Sequence, residues 1–101
     1  MREARVLQHG FLAGVLRDHE DGQFEFAYLE GYRGPPVSLT MPVRAEPYRY
    51  PHFPRFFEGL LPEGFLLQAL LKRAKLDASD YFGQLVQVGE DLVGSVTVEP
   101  L

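Results

Sequence analysis

Residues 53–65 read FPRFFEGLLPEGF and separate a first half rich in strand patterns from a second half rich in helix patterns. The stretch holds four of the eight phenylalanines of the chain. At about 100° per residue its first apolar side chains share one narrow face and predict a short core helix: Phe53, Phe56, Phe57 and Leu60. Pro62 ends or offsets this helix, and Glu63 suits the first turn of a second one.

The second helix is predicted from Gly64 to Lys75, where an apolar stripe marks one buried side: Leu66, Leu67, Leu70, Leu71 and Ala74. Phe65 falls on the polar side with Gln68, opposite the centre of the leucine stripe. Two interpretations of Phe65 stay open. A rigid Leu-Leu-Pro-Glu-Gly turn presents the ring to solvent, or the helix starts later and the ring folds back into the core.

A third helix and a last strand follow. Asp77 is predicted as the N-cap of this helix, with Asp80 as a weak capping-box partner. Gly89 suits the position just after the helix. Its predicted buried face consists of Ala78, Tyr81, Phe82, Leu85 and Val88. Val96 and Val98 then alternate with polar residues, which predicts a terminal strand that pairs back into a sheet.

The first half of the chain predicts four short strands. The pattern over residues 6–16 breaks at a turn around residues 8–10, and Gly14 marks a bulge or a close backbone approach. The Asp21-Gly22 pair predicts a hairpin before residues 24–28, which alternate most clearly. The segment Val37–Met41 predicts another strand.

The residues that follow, 42–51, have no period and are interpreted as an ordered surface connection. The predicted fold is therefore of the α+β class: a small antiparallel, barrel-like sheet of about five strands, covered by two or three helices. With 101 residues, the chain is expected to form one domain spanning residues 1–101.

The composition is that of a globular protein, with 46% hydrophobic and 13% aromatic residues. Because the chain has no cysteine, disulfides, thiolate zinc sites and a catalytic cysteine are excluded. Residues 1–5 are charged and precede only a short apolar run, unlike a signal peptide, and no apolar stretch reaches the roughly 20 residues of a membrane span. A cytoplasmic location is therefore expected. The net charge of −4, without a basic cluster, disfavours direct nucleic-acid binding.

Motifs for catalysis are missing from the sequence. His9, His19 and His52 fall in three separate turns or loops, so no metal site is predicted. The glycines form no phosphate-binding motif, and neither a kinase catalytic loop nor a D-F-G motif is present. We therefore predict that the chain is not an enzyme, with no catalytic residue, no cofactor and no metal.

Several stretches together resemble the N-terminal subdomain of HipA-type serine/threonine kinases, the toxins of bacterial toxin–antitoxin systems. The two specific stretches are FFEGLLPEG at residues 56–64 and, within the matching piece Val88–Val96, GEDLVGSV at residues 89–96. Four shorter pieces accompany them, and together they cover nearly the whole chain: GVL at 14–16, FEFAY at 24–28, VSLTMP at 37–42 and DYF at 80–82.

This resemblance implies that the chain holds none of the catalytic residues of the kinase, since the subdomain precedes the kinase core in that family. The sequence begins with Met1 and stops at Leu101, before a kinase would start, so it resembles the HipS-like antitoxin of HipBST-type three-component systems. There the HipT-like kinase lacks this subdomain, and a HipB-like helix-turn-helix protein binds operator DNA. The implied role is to bind the kinase and hold it inactive.

The mechanism expected for this role is occupancy of the active-site cleft of the kinase by Phe65, projected with Glu63 from the proline turn. The predicted partner-binding residues are Leu61, Pro62, Glu63, Gly64, Phe65 and Gln68. Two alternatives stay open. The chain is a structural complement that restores a split HipA-type kinase, or it is a co-regulator that tightens a HipB-like repressor–operator complex. Neither direct nucleic-acid binding nor membrane binding is expected.

Overall fold

The chain forms a five-stranded antiparallel sheet and three α-helices in a computed structural model, which describes residues 1–92 and 94–101. Val93, part of the Val88–Val96 stretch that carries the family resemblance, lies outside the described residues. The strands are β1 (Arg2–Gln8), β2 (Phe11–Asp18), β3 (Phe24–Tyr28), β4 (Tyr48–Tyr50) and β5 (Val96–Pro100). The helices, all between β4 and β5, are α1 (Arg55–Glu58), α2 (Gly64–Ala74), α3 (Tyr81–Val88) and a 3₁₀ turn at Gly89–Asp91.

The strand order is β4-β3-β2-β1-β5, and every neighbouring pair is antiparallel. This confirms the predicted α+β fold with five antiparallel strands and three helices. The sheet is open, with β4 and β5 as its two edges, so its curvature does not close it into a barrel. The β4 edge has only three residues and lies between Pro47 and Pro51, which limits its pairing with a further strand.

Both hairpin connections of β1, β2 and β3 are as predicted. His9 and Gly10 join β1 to β2 with φ values of 51° and 83°. Tight two-residue hairpins need such positive φ values. In the β2–β3 connection Gly22 has a φ of 89°, and the amide of His19 donates to the carbonyl of Gln23 at 3.0 Å.

Gly14 in β2 lies at a bulge and at a close backbone approach, the two roles predicted for it. The β1–β2 register passes from Val6–Gly14 to Leu7–Leu12, so Ala13 is the extra residue of the bulge. A Cβ atom at position 14 would collide with the carbonyl oxygen of Ala27 on β3. Only glycine therefore allows β2 and β3 to approach this closely.

The predicted strand at Val37–Met41 is wrong, and the fourth strand is Tyr48–Tyr50 within the supposed connection. Residues 38 and 41 form only one isolated bridge, and the side chain between them, Leu39, is 94% exposed. The hydroxyl of Ser38 accepts from the amide of Thr40 at 3.2 Å and favours a turn. The backbone amide of Val37 donates to the hydroxyl of Tyr28 at 3.0 Å instead of to a neighbouring strand.

The two faces of the sheet differ in chemistry. The inner face packs against the helices, and its largest fully buried residues include Phe26 and Leu16, with Phe57 from α1 and Leu85 from α3. The outer face carries a row of alternating charges across four strands: Glu3, Arg17, Glu25 and Arg49. Nitrogen–oxygen distances along this row are 2.7, 3.0 and 3.6 Å. Opposite charges on directly paired positions stabilise an exposed antiparallel face.

The start of α3 differs from the prediction. Its N-cap is Asp80, whose carboxylate accepts from the amide of Gly83 at 3.0 Å, and Asp77 lies outside the helix. Accordingly Ala78 and Tyr81 are exposed, whereas Phe82 and Leu85 are buried as expected. No helix in residues 1–92 or 94–101 is long and apolar enough to cross a membrane.

The end of α3 needs a glycine for a reason other than the predicted one. Gly89 has a right-handed φ of −55°, which any residue adopts. However, a Cβ atom there would collide with the carbonyl oxygen of Val98 on β5. Gly89 therefore allows close packing of the 3₁₀ turn against the last strand.

Candidate partner-binding site

The connection between α1 and α2, called here the α1–α2 turn (residues 59–63), is fixed by backbone hydrogen bonds and by a proline. The amides of Leu60 and Leu61 donate to the carbonyls of Phe57 and Glu58, both at 3.1 Å. Pro62 then prevents continuation of the helix because it has no amide hydrogen. Phe57 is fully buried and contacts Phe26 of β3 with ring centroids 5.8 Å apart, so the turn is held by the core.

Helix α2 begins with a glycine in the left-handed region. Gly64 has a φ of 58°, and Glu63 before it is extended and forms no side-chain cap. The helix ends where Lys75 adopts φ 55° and its amide bonds back to the carbonyl of Leu71. A β-carbon at position 64 would be strained, so this glycine sets the direction in which the first helical side chains point.

Phe65 is 94% exposed, which confirms the sequence interpretation that places its ring outside the core. The next residue, Leu66, is 73% exposed, so its prediction as part of a buried stripe is wrong. In α2 only Leu70 is buried, with Leu67 and Leu71 half-buried. The helix lies at the periphery and covers the core with one narrow side, which is too narrow to include Leu66.

The six residues predicted to bind a partner lie on one continuous segment with graded exposure. Leu61 and Pro62 are half-buried, and the other four are exposed: Glu63, Gly64, Phe65 and Gln68. Gln68 follows Phe65 by three residues and therefore shares its side of the helix. The structure thus brings the six together, while their role in binding stays a prediction.

A cluster of charges that the sequence interpretation missed lies where β1, β2 and α3 meet. The Nη2 atom of Arg2 donates to the carboxylates of both Asp18, at 2.6 Å, and Asp80, at 2.9 Å. The guanidinium also lies 4.9 Å from the ring centre of Phe82. The Asp18 residue is only 4% exposed. We call these residues the Arg2 cluster: Arg2, Asp18, Asp80 and Phe82.

The Arg2 cluster is a structural feature and not a reactive site. Hydrogen bonds from Arg2 lower the pKa of Asp80 below its usual value, and the amide of Gly83 contributes. Such a carboxylate stays ionised and paired, so it is unsuited to proton transfer at neutral pH. The signal that could have revealed the cluster is the β1–β2 register, which places Arg2 directly opposite Asp18.

Within residues 1–92 and 94–101, no three His, Cys, Asp or Glu side chains are placed to hold a metal ion. His19 has its Nε2 atom 3.6 Å from a carboxylate oxygen of Glu25.

Fold and site together define a small α+β domain whose most exposed aromatic side chain lies just after an interhelical turn. The chain belongs to the HipA N-terminal domain family, whose sequence profile matches residues 4–99. A solved structure titled "N-terminal domain of HipA toxin" agrees with a TM-score of 0.79 and 29% identity, over 100% of this chain and 93% of that one. The chain corresponds to this N-terminal domain and not to the catalytic part of a kinase.

Three relatives contain this domain, in one case as nearly the whole protein and in two cases as part of a longer chain. A Haemophilus influenzae protein named "Uncharacterized protein" is 32% identical over 99 residues, which is 98% of this chain and 92% of that protein. Two Sinorhizobium fredii proteins are named "Putative kinase Y4dM" and "Putative kinase Y4mE". They are 35% and 28% identical over 94% and 99% of this chain, which spans only 26% and 25% of their lengths.

Proposed function

We propose that this chain binds a HipA- or HipT-like serine/threonine kinase and holds it inactive, as the antitoxin of a toxin–antitoxin system. The observation that carries the proposal is the 94% exposure of Phe65 on a turn fixed to the core. On this proposal the chain works in the cytoplasm, performs no reaction and needs no cofactor. A HipB-like helix-turn-helix protein joins the larger complex and makes the contacts with DNA.

The family supports a kinase as the partner. In the two Sinorhizobium relatives named as kinases, this domain accounts for about a quarter of the polypeptide. The domain therefore occurs there in one chain with about three times its own length of further sequence. A separate domain of the same family offers a surface of the same descent to such a kinase, which favours binding between the two.

An exposed ring on a rigid turn is suited to inhibition by occupancy. Burying a phenylalanine side chain contributes roughly 1.5–3 kcal/mol. Since Pro62 and the hydrogen bonds of the α1–α2 turn already fix the backbone, little conformational entropy is lost on docking. Phe65, with Glu63 beside it, would fill the active-site cleft and exclude ATP or substrate or prevent closure.

The test measures phosphoryl transfer from radiolabelled ATP by a purified HipA- or HipT-like kinase, titrated with this protein. Wild-type protein is expected to lower the rate to background. At saturating concentrations, Phe65→Ala should leave the kinase at least ten times as active as the wild-type protein does, because alanine does not fill the active-site cleft. Phe65→Trp should retain inhibition, because it supplies a larger aromatic ring.

The matched control is Phe11→Ala, which removes a 75% exposed phenylalanine from the start of β2. It should inhibit like the wild type, and circular dichroism should show both alanine variants folded. Equal inhibition by Phe65→Ala and the wild type would refute the occupancy mechanism. Failure of the wild type to bind the kinase at all would refute the proposal as a whole.

A second candidate is a structural complement, favoured by the relatives that contain this domain within a longer chain named as a kinase. Its effect has the opposite sign, because addition of the protein would raise phosphorylation. The same titration therefore separates the two functions. A gel shift with a HipB-like repressor and its operator, with and without this protein, tests the co-regulator alternative.

A further inference from the structure

An apolar groove of about 500 Å³ lies between the α1–α2 turn, α2 and the end of α3. Its walls are almost entirely aliphatic, and Leu70 is its one buried lining residue. Arg73 and Asp91 also line it. The aliphatic residues are Leu60, Leu61, Pro62, Leu66, Leu70, Val88 and Leu92.

The groove shares two of its lining residues with the predicted partner-binding segment. Leu66 lines the groove, is 73% exposed and directly follows Phe65 in the first turn of α2. Leu61 and Pro62 belong to both the groove and the predicted partner-binding segment. Along α2 the groove therefore runs from Leu66 to Arg73, a distance of about 10 Å at about 1.5 Å per residue.

The charges of the groove are opposite in sign and available to a partner. Within the part of the chain that the structure describes, neither Arg73 nor Asp91 forms a salt bridge. By contrast, the charges on the outer sheet face pair with one another. An occupant that places a carboxylate near Arg73 and a cation near Asp91 would gain complementary contacts and a fixed direction.

We propose that this groove receives an apolar segment of the kinase, flanked by one acidic and one basic residue, as a second contact beside Phe65. The inference rests on the proposed function. It assigns the two parts different tasks: the groove supplies affinity, and Phe65 supplies inhibition. The kinase is the occupant because the groove adjoins the ring proposed to enter it, and because relatives named as kinases carry this domain with further chain.

The test measures affinity for the purified kinase by isothermal titration calorimetry, separately from its activity. Leu66→Glu places a charge in the groove at an exposed position and should weaken binding at least tenfold. Leu39→Glu is the matched control, because Leu39 is 94% exposed and lies outside the groove; its affinity should change less than twofold. Arg73→Glu should weaken binding about fivefold, and Arg33→Glu, the same charge change elsewhere, should not.

The two proposals fail in different ways. If Leu66→Glu and Arg73→Glu both bind the kinase as tightly as the wild type does, the groove is not a contact site, whatever the result for Phe65→Ala. Phe65→Ala should lose inhibition at saturating concentrations while it still binds, and full inhibition there would overturn the division of tasks. Sedimentation equilibrium tests a second copy of the chain as the occupant. A wild-type dimer together with a monomeric Leu66→Glu variant would show that the groove binds another copy, and would overturn the kinase as occupant.

Discussion

Charged side chains are paired in the Arg2 cluster, whereas large apolar side chains are exposed next to the α1–α2 turn. In the Arg2 cluster the buried carboxylate of Asp18 is paired, Asp80 caps a helix, and the ring of Phe82 is 3% exposed. Just after the turn, Phe65 and Leu66 are exposed, and the helix that contains them has no side-chain cap. The charges of the cluster are therefore paired within the fold, whereas Phe65 and Leu66 expose apolar surface.

This difference predicts that stability and partner binding depend on different residues of the chain. Natural sequences satisfy local rules nearly everywhere and depart from them mainly at functional sites. The start of α2 departs from these rules in two ways. The ring of Phe65 is exposed, and Gly64 has a positive φ in the first turn of the helix. We therefore expect substitutions at the turn to affect partner binding, and substitutions around the cluster and the sheet to affect folding.

The largest contrast is expected between two phenylalanines eight residues apart. Phe57→Ala removes a fully buried ring and should lower the free energy of unfolding by about 3–5 kcal/mol. Phe65→Ala removes an exposed ring and should change it by less than about 0.5 kcal/mol. Urea unfolding followed by circular dichroism measures both. A loss above about 1.5 kcal/mol for Phe65→Ala would mean that the ring contributes to the core.

A smaller contrast is expected between two glycines. Gly89→Ala directs a methyl group at the carbonyl oxygen of Val98 and should cost about 3 kcal/mol, because the 3₁₀ turn must move from β5. Gly64→Ala meets no atom but is strained at φ 58°, and should cost about 1 kcal/mol. The same urea titrations measure both. Equal losses would show that backbone strain outweighs the collision.

Local patterns predict much of this molecule. The alternation of β3 and the turn at His9-Gly10 follow from interactions within a few residues, and Gly14 is recognisable as a glycine inside a strand pattern. Helical periodicity places Phe65 on the polar side of α2, which is one of the two interpretations left open for its ring. The prediction failed at Val37–Met41, where the amide of Val37 donates to the hydroxyl of Tyr28 and not to a neighbouring strand.

The Arg2 cluster could not be predicted from the sequence because it depends on one extra residue in β2. The bulge at Ala13 shifts the register so that Arg2 stands opposite Asp18. Without the bulge, Arg2 would stand opposite Arg17, and two cations would repel. The exposure of Leu66 was not predictable for a similar reason. A leucine stripe shows which side of a helix can be buried, but it does not show how wide the core beneath that helix is.

A loss smaller than those of Phe57→Ala and Gly89→Ala is expected from breaking the Arg2 cluster. Arg2→Gln leaves the buried carboxylate of Asp18 without its cation and Asp80 without its ion pair. Loss of one partner from a fully buried pair costs about 3–5 kcal/mol. Because 42% of the Arg2 side chain is exposed, solvent screening reduces the expected loss to about 2 kcal/mol near pH 7. Inhibition of the kinase by folded Arg2→Gln protein should be unchanged.

The pH dependence of this loss identifies its electrostatic part. In the wild type the pKa of Asp80 is lowered, so its stabilising contribution is complete above the ordinary value of 3.8 and disappears as the pH falls through the folded-state value. Arg2→Gln returns the pKa of Asp80 toward that ordinary value, so its stability should fall less steeply with acid, and the two urea midpoints should converge below the lowered pKa of Asp80. Asp80→Asn is the control, since asparagine can still cap α3 but cannot titrate. A gap between wild type and Arg2→Gln that stays constant with pH would assign the loss to packing of the arginine on Phe82 and not to the ion pair.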